Sequence, residues 1–189
     1  MSDRIQLRSQ LTALDLSERP EELPLRERMI ALLDSEPGCF LRTTFPAHFT
    51  GSALVLSSDG QRALLHHHRN LDRWMQFGGH CDGEEDVLAV AQREALEESG
   101  ITGLILASAR PFDLDIHPIP ARPTQPEHLH YDIRYVLIAP EDALPQASSE
   151  SLSLQWFTPD EMAQLPLGAG LQRLLAKWRQ LLARRTSHS

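Results

Sequence analysis

In the first part of the chain, apolar residues recur at helical spacing. Within residues 4 to 36 they follow one another every three to four positions, on either side of a break at Arg19-Pro20. They are Leu7, Leu11, Leu14, Leu25, Met29, Leu32 and Leu33. This spacing predicts helices that end at Pro37-Gly38. We expect residues 1–45 to form a helical extension that caps the main domain. The alternative is a dimerisation arm, which would make the protein a homodimer.

From about residue 49 the helical spacing of apolar residues gives way to short runs that are typical of strands. The runs SALVLS and RALLHHH flank Asp59-Gly60, a dipeptide that favours the tight turn of a β-hairpin. A short apolar piece follows around Trp74 to Phe77, and further strands are predicted over 104–116 and 129–139 and in SLQWF. Since strands precede and follow one long helix, the predicted class is mixed α/β (α+β). The main domain is expected over residues 46–189 and includes a C-terminal helix.

The stretch GGHCDGEEDVLAVAQREALEESGI, residues 78 to 101, predicts that central helix. Asp82 and Glu85 form a D-x-x-E capping pattern, and Gly100 occupies the position of a C-terminal cap. The helix is therefore expected to run from about residue 83 to residue 99. At about 100° per residue, its inward stripe is shared by Val87, Ala91, Glu94, Ala95 and Glu98.

Two carboxylates, Glu94 and Glu98, thus continue an apolar stripe at positions i and i+4, with Glu97 beside them. Like charges at this spacing destabilise a helix, and partial burial increases the cost. A hard divalent cation such as Mg²⁺ removes the conflict because it binds carboxylate oxygens. The alternative is a solvated acidic end of the helix.

The overall charge limits the partners. The chain has 18 basic and 26 acidic residues, a net charge of −8, which argues against nucleic-acid polymers as ligands. Cys39 and Cys81 are the two cysteines and form no CxxC pair, so a reducing cytoplasm is expected. The first residues lack the apolar core of a signal peptide, and no apolar run is long enough for a membrane span.

The spacing Gly79, Glu85, Arg93-Glu94, Glu97-Glu98 and Gly100-Ile101 resembles the Nudix box, G-x5-E-x7-R-E-U-x-E-E-x-G-U. Trp74 before the box and Trp156-Phe157 after it extend the resemblance to about residues 48 to 166. The chain departs from the family pattern at Phe77, where proline is usual, and at the small Ala95. The resemblance implies the Nudix-type α/β/α sandwich with a mixed sheet.

The resemblance also implies the chemistry, which is attack of a metal-activated water on a phosphorus of a diphosphate. Glu94 and Glu98 would be the main ligands of Mg²⁺, for which Mn²⁺ can substitute. Glu97 would assist, and the Gly78 carbonyl would add an oxygen ligand. Glu85 would act as an outer ligand or partner of the base. The substrate class implied is a small nucleoside diphosphate linked to another moiety.

Two further roles complete the implied site. Arg93 would fix the glutamates through ion pairs and would not bind substrate. The general base is left open among Glu97, Glu98 and a loop glutamate, for which Glu150 is the candidate; a solvated loop acid is the alternative for Glu150.

Histidines are frequent, with 9 in the chain. His66, His67 and His68 are consecutive on a predicted strand, so neighbours point to opposite faces and do not form one tridentate site. In HLHYDIRY, the polar face of a strand is formed by His128, His130, Asp132 and Arg134. We expect that face to meet water or a pocket.

Three histidines of the chain are candidates for the lining of the substrate pocket. His80, His128 and His130 are expected to line the substrate pocket and contact its phosphates, and the alternative is a merely solvated strand face. A zinc site formed by these histidines and Cys81 lacks the usual ligand spacing.

Two other functions compete with hydrolysis. A non-catalytic nucleotide-binding sensor of Nudix fold usually lacks box glutamates, which this chain retains. An isopentenyl diphosphate isomerase shares the fold but matches the hydrolase box less well.

Overall fold

The structure is a computed structural model and describes residues 2–186. By contacts the chain divides into two compact units. The first comprises the residues up to Ser52, together with Gly78–Ala91 and Ser108–Tyr135. The second comprises Ala53–Phe77, Gln92–Ala107 and the residues from Val136 onward.

The secondary structure confirms the predicted mixed α+β class. The helices are α1 (Asp3–Thr12), α2 (Leu23–Ser35), α3 (Val87–Ser99), α4 (Pro159–Ala163) and α5 (Ala169–Thr186), with a 3₁₀ turn at Pro20–Glu22. The strands are β1 (Ala47–Leu56), β2 (Ala63–His68), β3 (Arg73–Met75), β4 (Phe77–His80), β5 (Ile105–Leu106), β6 (Asp113–Ile119), β7 (His128–Ile138) and β8 (Ser151–Phe157). They form an eight-stranded sheet with the main order β3-β2-β1-β7-β5; β4 pairs with β1, β6 with β7 and β8 with β2.

The N-terminal helices pack within the first unit. Leu7 and Leu11 of α1 and Met29 and Leu33 of α2 are buried, as their helical spacing predicts. Further along, the Nη2 atom of Arg28 donates to the Tyr131 hydroxyl of β7 at 3.2 Å. The extension therefore caps strands of this unit through both apolar burial and polar contacts. A role of these helices in dimerisation stays a prediction.

Strands β6 and β7 pair with each other in the first unit, and the side chains of β7 form one polar and one apolar face. They pair antiparallel, with Asp113 opposite Arg134 and Ile119 opposite His128. Leu114 and Ile133 are fully buried, and Tyr135 is 1% exposed. The apolar face of β7 therefore belongs to the core, as its alternating pattern predicts.

In the second unit, β2 is the central strand. It pairs antiparallel with β3, with β8 and, at Val55 opposite Leu64, with the end of β1. The predicted hairpin around Asp59-Gly60 is confirmed by this register. The indole Nε1 of the fully buried Trp178 in α5 donates to the Gly60 carbonyl at 2.9 Å. The C-terminal helix is thereby fixed to the hairpin turn.

The central helix begins later than the capping pattern predicts. Asp82 and Gly83 have φ angles of 51° and 95°, a left-handed backbone that a right-handed helix does not accommodate. The predicted start at residue 83 and the cap by Asp82 are therefore wrong. Instead, the Oδ1 atom of Asp86 accepts from the Ala89 amide at 3.1 Å, so Asp86 caps α3.

No helix within residues 2–186 combines the length and apolar character needed to cross a membrane.

Candidate active site

The C-terminal half of α3 carries three glutamates at different depths. Glu98 is 6% exposed, the side chain of Glu94 is 16% exposed, and that of Glu97 is 58% exposed. Burial raises the pKa of Glu94 above its ordinary value, Arg93 opposes this, and the charges of Glu97 and Glu150 add to the rise. The Glu94 carboxylate thus lies in a negative environment that lacks sufficient positive charge.

Arg93 is the cation among these glutamates. Its Nη1 atom lies 2.7 Å from Oε1 of Glu94 and 3.4 Å from Oε2 of Glu97. A single nitrogen therefore contacts both carboxylates. The residue is positioned to hold two glutamates in place, and its role in a reaction stays a prediction.

The donor set at this end of α3 fits a hard divalent cation. Three carboxylates and one guanidinium leave two net negative charges in less than two turns of helix. Oxygen donors that are crowded and partly buried are the ligands that Mg²⁺ or Mn²⁺ requires. The donors are thus of the chemical type that Mg²⁺ binds, and a metal role of Glu94, Glu97 and Glu98 stays a prediction.

Glu150, the candidate loop base, is exposed and directly precedes β8. Its charge acts on Glu94, since it contributes to the raised pKa of that group. Its backbone carbonyl accepts from the Arg69 amide at 2.8 Å, which fixes the main chain there. The role of Glu150 as a base stays a prediction, with a solvated loop acid as the alternative.

Glu85 has an unexpected partner from the N-terminal helix. The Nε atom of Arg4 donates to Oε1 of Glu85 at 3.3 Å. Arg4 also donates from Nη1 to the Leu33 carbonyl at 2.9 Å, and its guanidinium lies over the Phe40 ring, 5.1 Å from the centroid. Sequence analysis missed Arg4 because no local pattern connects residues so far apart in the chain.

Gly78 is required by close packing in β4. A Cβ atom at this position would lie 2.2 Å from the Ser52 hydroxyl oxygen and 2.8 Å from the Ser52 Cα. No side chain fits there, because real Cβ atoms do not approach other atoms so closely. A ligand role of the Gly78 carbonyl stays a prediction.

The structure brings His80, His128 and His130 together in the first unit. The His80 and His130 ring centroids are 4.9 Å apart, and those of His128 and His130 are 5.2 Å apart. His48 of β1, which sequence analysis did not select, lies 5.0 Å from His128 and 4.9 Å from His130. We call His48, His80, His128 and His130 the histidine cluster.

The cluster consists of two buried histidines, His48 and His128, and two half-buried ones, His80 and His130. Burial is the main cause that lowers the pKa of His130 to about 2 and that of His80 to about 4, and neighbouring histidines lower both further. The pKa of His48 is lowered for the same main reason. Burial therefore favours the neutral form of His48, His80 and His130.

The polar face of β7, expected to meet water or a pocket, is mostly buried. His128, Asp132 and Arg134 are 3%, 2% and 3% exposed. Arg134 forms ion pairs with three carboxylates, which explains its burial. Its nitrogens lie 2.7 Å from Asp132, 3.0 Å from Asp113 and 2.7 Å from Asp115. The solvated strand face is thereby excluded.

The consecutive histidines of β2 have separate surroundings. The Nδ1 atom of the buried His66 lies 2.9 Å from the Ser151 hydroxyl, and His67 stacks on Trp74 with centroids 5.1 Å apart. Within residues 2–186, neither they nor His68 belong to a group with metal-binding geometry, and Cys81 does not either. The alternative zinc site with Cys81 is therefore not supported.

Comparison with known proteins identifies the fold. A family model described as NUDIX domain matches residues 48–178. A search of curated proteins finds no match. Among solved structures, the Nudix hydrolase RenU of M. smegmatis superimposes with a TM-score of 0.55 at 20% identity, over 72% of this chain and 86% of that chain.

Two other solved structures have similar scores. An Ap4A hydrolase of C. elegans gives a TM-score of 0.52 at 21% identity, over 71% of this chain and 97% of that chain. A MutT protein of Methanosarcina mazei gives 0.53 at 19% identity, over 70% of this chain and 92% of that chain. At these identities the similarity shows the fold alone, and it confirms the predicted Nudix fold.

Proposed function

The chain belongs to the Nudix family, and we propose that it is a pyrophosphohydrolase that depends on a divalent cation. It would cleave the pyrophosphate bond of a nucleoside diphosphate linked to another moiety, an acid anhydride. The observation that carries this proposal is the set of three glutamates on α3, with Glu94 partly buried among negative charges.

The residues proposed to hold the cation are Glu94, Glu97 and Glu98, and the Gly78 carbonyl is proposed as a further ligand. When bound, Mg²⁺ lowers the pKa of a water ligand and offsets negative charge on the phosphoryl oxygens. Mn²⁺, with the same preference for oxygen ligands, is the expected substitute.

Other residues would position the glutamates or take a proton from the attacking water. Arg93 restrains Glu94 and Glu97 through Nη1, so we propose that it keeps their oxygens aimed in one direction. The base that takes the proton from water is proposed among Glu97, Glu98 and Glu150. Glu85 is proposed as an outer ligand or a partner of the base.

The histidine cluster would contribute to the substrate pocket as neutral groups. Contact of His80, His128 and His130 with the substrate phosphates stays a prediction. Because burial lowers the pKa of His80 and of His130, these two would act as neutral hydrogen-bonding groups and not as cations.

The ligand is proposed to be a small molecule. The net charge of −8 argues against nucleic-acid polymers. Both cysteines are free and buried, which is compatible with the proposed cytoplasmic location. Solved structures of the same fold include an Ap4A hydrolase and a dihydroneopterin triphosphate pyrophosphohydrolase. Ap4A and dihydroneopterin triphosphate both contain a phosphoanhydride, the bond that we propose is cleaved here.

The test is a substrate panel. Purified protein with Mg²⁺ is incubated with nucleoside triphosphates, nucleotide sugars, ADP-ribose and dinucleoside polyphosphates, and the products are separated by chromatography. Cleavage of a phosphoanhydride in at least one compound supports the proposal. Tight binding measured by calorimetry without any product would favour the non-catalytic sensor instead.

A further inference from the structure

We propose that His48, His128 and His130 form a second metal site, selective for Zn²⁺ or a similar borderline-soft cation. One nitrogen of each imidazole lies within 4.8 Å of the other two. The site would use none of the carboxylates assigned to the catalytic cation. Three neutral nitrogen ligands suit zinc, whereas Mg²⁺ prefers oxygen.

The protein backbone sets the tautomer of two ligands. The Nδ1 atom of His48 lies 3.0 Å from the Thr44 carbonyl oxygen, and that of His128 lies 2.8 Å from the Pro126 carbonyl oxygen. A carbonyl only accepts, so each Nδ1 carries the proton and donates it. Each Nε2 atom is left with its lone pair available. Histidine ligands of metals are held in the same way, with the second nitrogen donating to a backbone carbonyl.

Two of the three histidines contain an unsatisfied buried atom. Among residues 2–186, the Nε2 atoms of His48 and His130 are buried and have no hydrogen-bond partner. His48 as a whole is only 1% exposed. Buried polar atoms normally have a partner, so two such atoms on adjacent side chains require an explanation. A cation between them would satisfy both.

The strands place the ligands on one side of the sheet. His128 and His130 are two residues apart on β7, so their side chains project from the same face. His48 lies on the neighbouring strand β1. The two strands are joined next to His48, where the Leu129 amide donates to the Pro46 carbonyl at 2.8 Å. In a tetrahedral zinc site the nitrogens are about 3.3 Å apart, given bonds of about 2.0–2.1 Å. Modest side-chain rotations would therefore bring the three atoms onto one ion.

Three protein ligands leave the fourth tetrahedral position for a water molecule or an anionic oxygen. Such an open position distinguishes this arrangement from a closed structural zinc site. The competing explanation is a packed group of imidazoles that binds no metal. The two explanations differ in a measurable property, which is the affinity of the metal-free protein for Zn²⁺.

The test begins with full-length protein stripped by a chelator and titrated with Co²⁺, a spectroscopic substitute for zinc, followed by competition with Zn²⁺. We expect one equivalent to produce the intense visible bands of tetrahedral cobalt, and zinc to displace them. His48→Gln, His128→Gln and His130→Gln should each weaken binding more than about tenfold, the loss that even outer-sphere partners cause.

Two control variants separate this site from other binding. Glu98→Gln removes a proposed ligand of the catalytic cation and should retain the cobalt bands. His67→Gln applies the same substitution to a histidine outside the cluster and should also retain them. No binding by the wild type, or bands that vanish in Glu98→Gln and persist in all three cluster variants, would overturn the proposal.

Circular dichroism would reveal variants that fail to fold. In that case a measurement on the wild type alone still tests the proposal. X-ray absorption at the zinc edge of the protein loaded with one equivalent should show imidazole scattering from three nitrogen ligands. A first shell of oxygen ligands without imidazole would contradict the site, whatever the variants show.

Discussion

Arg4, in the first helix, donates from Nε to the Oε1 atom of Glu85 at 3.3 Å. This ion pair connects the N-terminal extension to a glutamate of the Nudix box. Because Arg4 also donates to backbone carbonyls at the end of α2, it joins three segments that are distant in sequence. The extension is therefore coupled to the loop that precedes α3.

Replacing Arg4 tests this coupling. Arg4→Met should lower the free energy of unfolding by about 1–3 kcal/mol, because it leaves half-buried acceptors without their donor. Arg8→Met is the matched control, since Arg8 pairs with Asp34 in an exposed position, and it should cost at most about 1 kcal/mol. Urea denaturation measures both variants. Equal losses would show that Arg4 does not serve as a special connection.

The buried charge cluster of β6 and β7 predicts a larger effect. Arg134→Met would leave three buried aspartates without their cation, so unfolding free energy should fall by about 3–5 kcal/mol. Arg179→Met, which removes an exposed pair with Asp160, should change it by less than about 1 kcal/mol. If Arg134→Met remains within 1 kcal/mol of the wild type in urea, the cluster does not stabilise the unit as described.

Arg93 is expected to act by positioning the glutamates. Arg93→Met should reduce kcat/KM and raise the Mg²⁺ concentration that gives the half-maximal rate, since Glu94 and Glu97 lose their shared partner. Arg93→Lys should restore part of the loss, because one nitrogen makes both contacts. Rates measured across a Mg²⁺ series distinguish this role. An unchanged Mg²⁺ requirement in Arg93→Met would contradict it.

Acid should destabilise the protein through His66. Burial and then the charge of His68 lower the pKa of His66 to about 4, while an unfolded chain has a value near 6.5. Between these values the unfolded state binds more protons. The contribution of neutral His66 to the free energy of unfolding is therefore complete above pH 6.5. It is lost as the pH falls, by up to about 1.4 kcal/mol per pH unit.

The comparison variant for this pH effect is His66→Gln. Its unfolding free energy should fall less steeply than that of the wild type between pH 6.5 and pH 4, in urea titrations at several pH values. Identical slopes in the wild type and His66→Gln would show that His66 does not titrate as proposed.

Local patterns predicted most of the secondary structure, because they report local physics. The spacing of Leu7, Leu11 and Met29 predicted buried helix faces, and Asp59-Gly60 predicted the hairpin. The start of α3 was wrong, because Asp82 matched a capping pattern while its backbone takes a left-handed conformation. A capping pattern in sequence does not contain the φ angle that decides whether the cap forms.

Local sequence patterns did not predict the contacts between segments that are distant in the chain. His48 stands alone at the start of a strand, so nothing in its neighbourhood marks it as a partner of His128. Arg134 was placed on the correct face of β7 but was expected to meet water or a pocket. Its burial depends on Asp113 and Asp115, which β6 contributes through the strand register.

The most direct test of the proposed function compares one glutamate of α3 with an exposed glutamate elsewhere. With a compound that the wild type cleaves, kcat/KM is measured in Mg²⁺ for wild type, Glu98→Gln and Glu27→Gln. We expect Glu27→Gln to match the wild type and Glu98→Gln to lose about 100-fold or more, since loss of a ligand should equal or exceed the loss of an outer-sphere partner. Hydrolysis that is equally fast in Glu98→Gln, or no hydrolysis of any phosphoanhydride by the wild type, would contradict the proposed function.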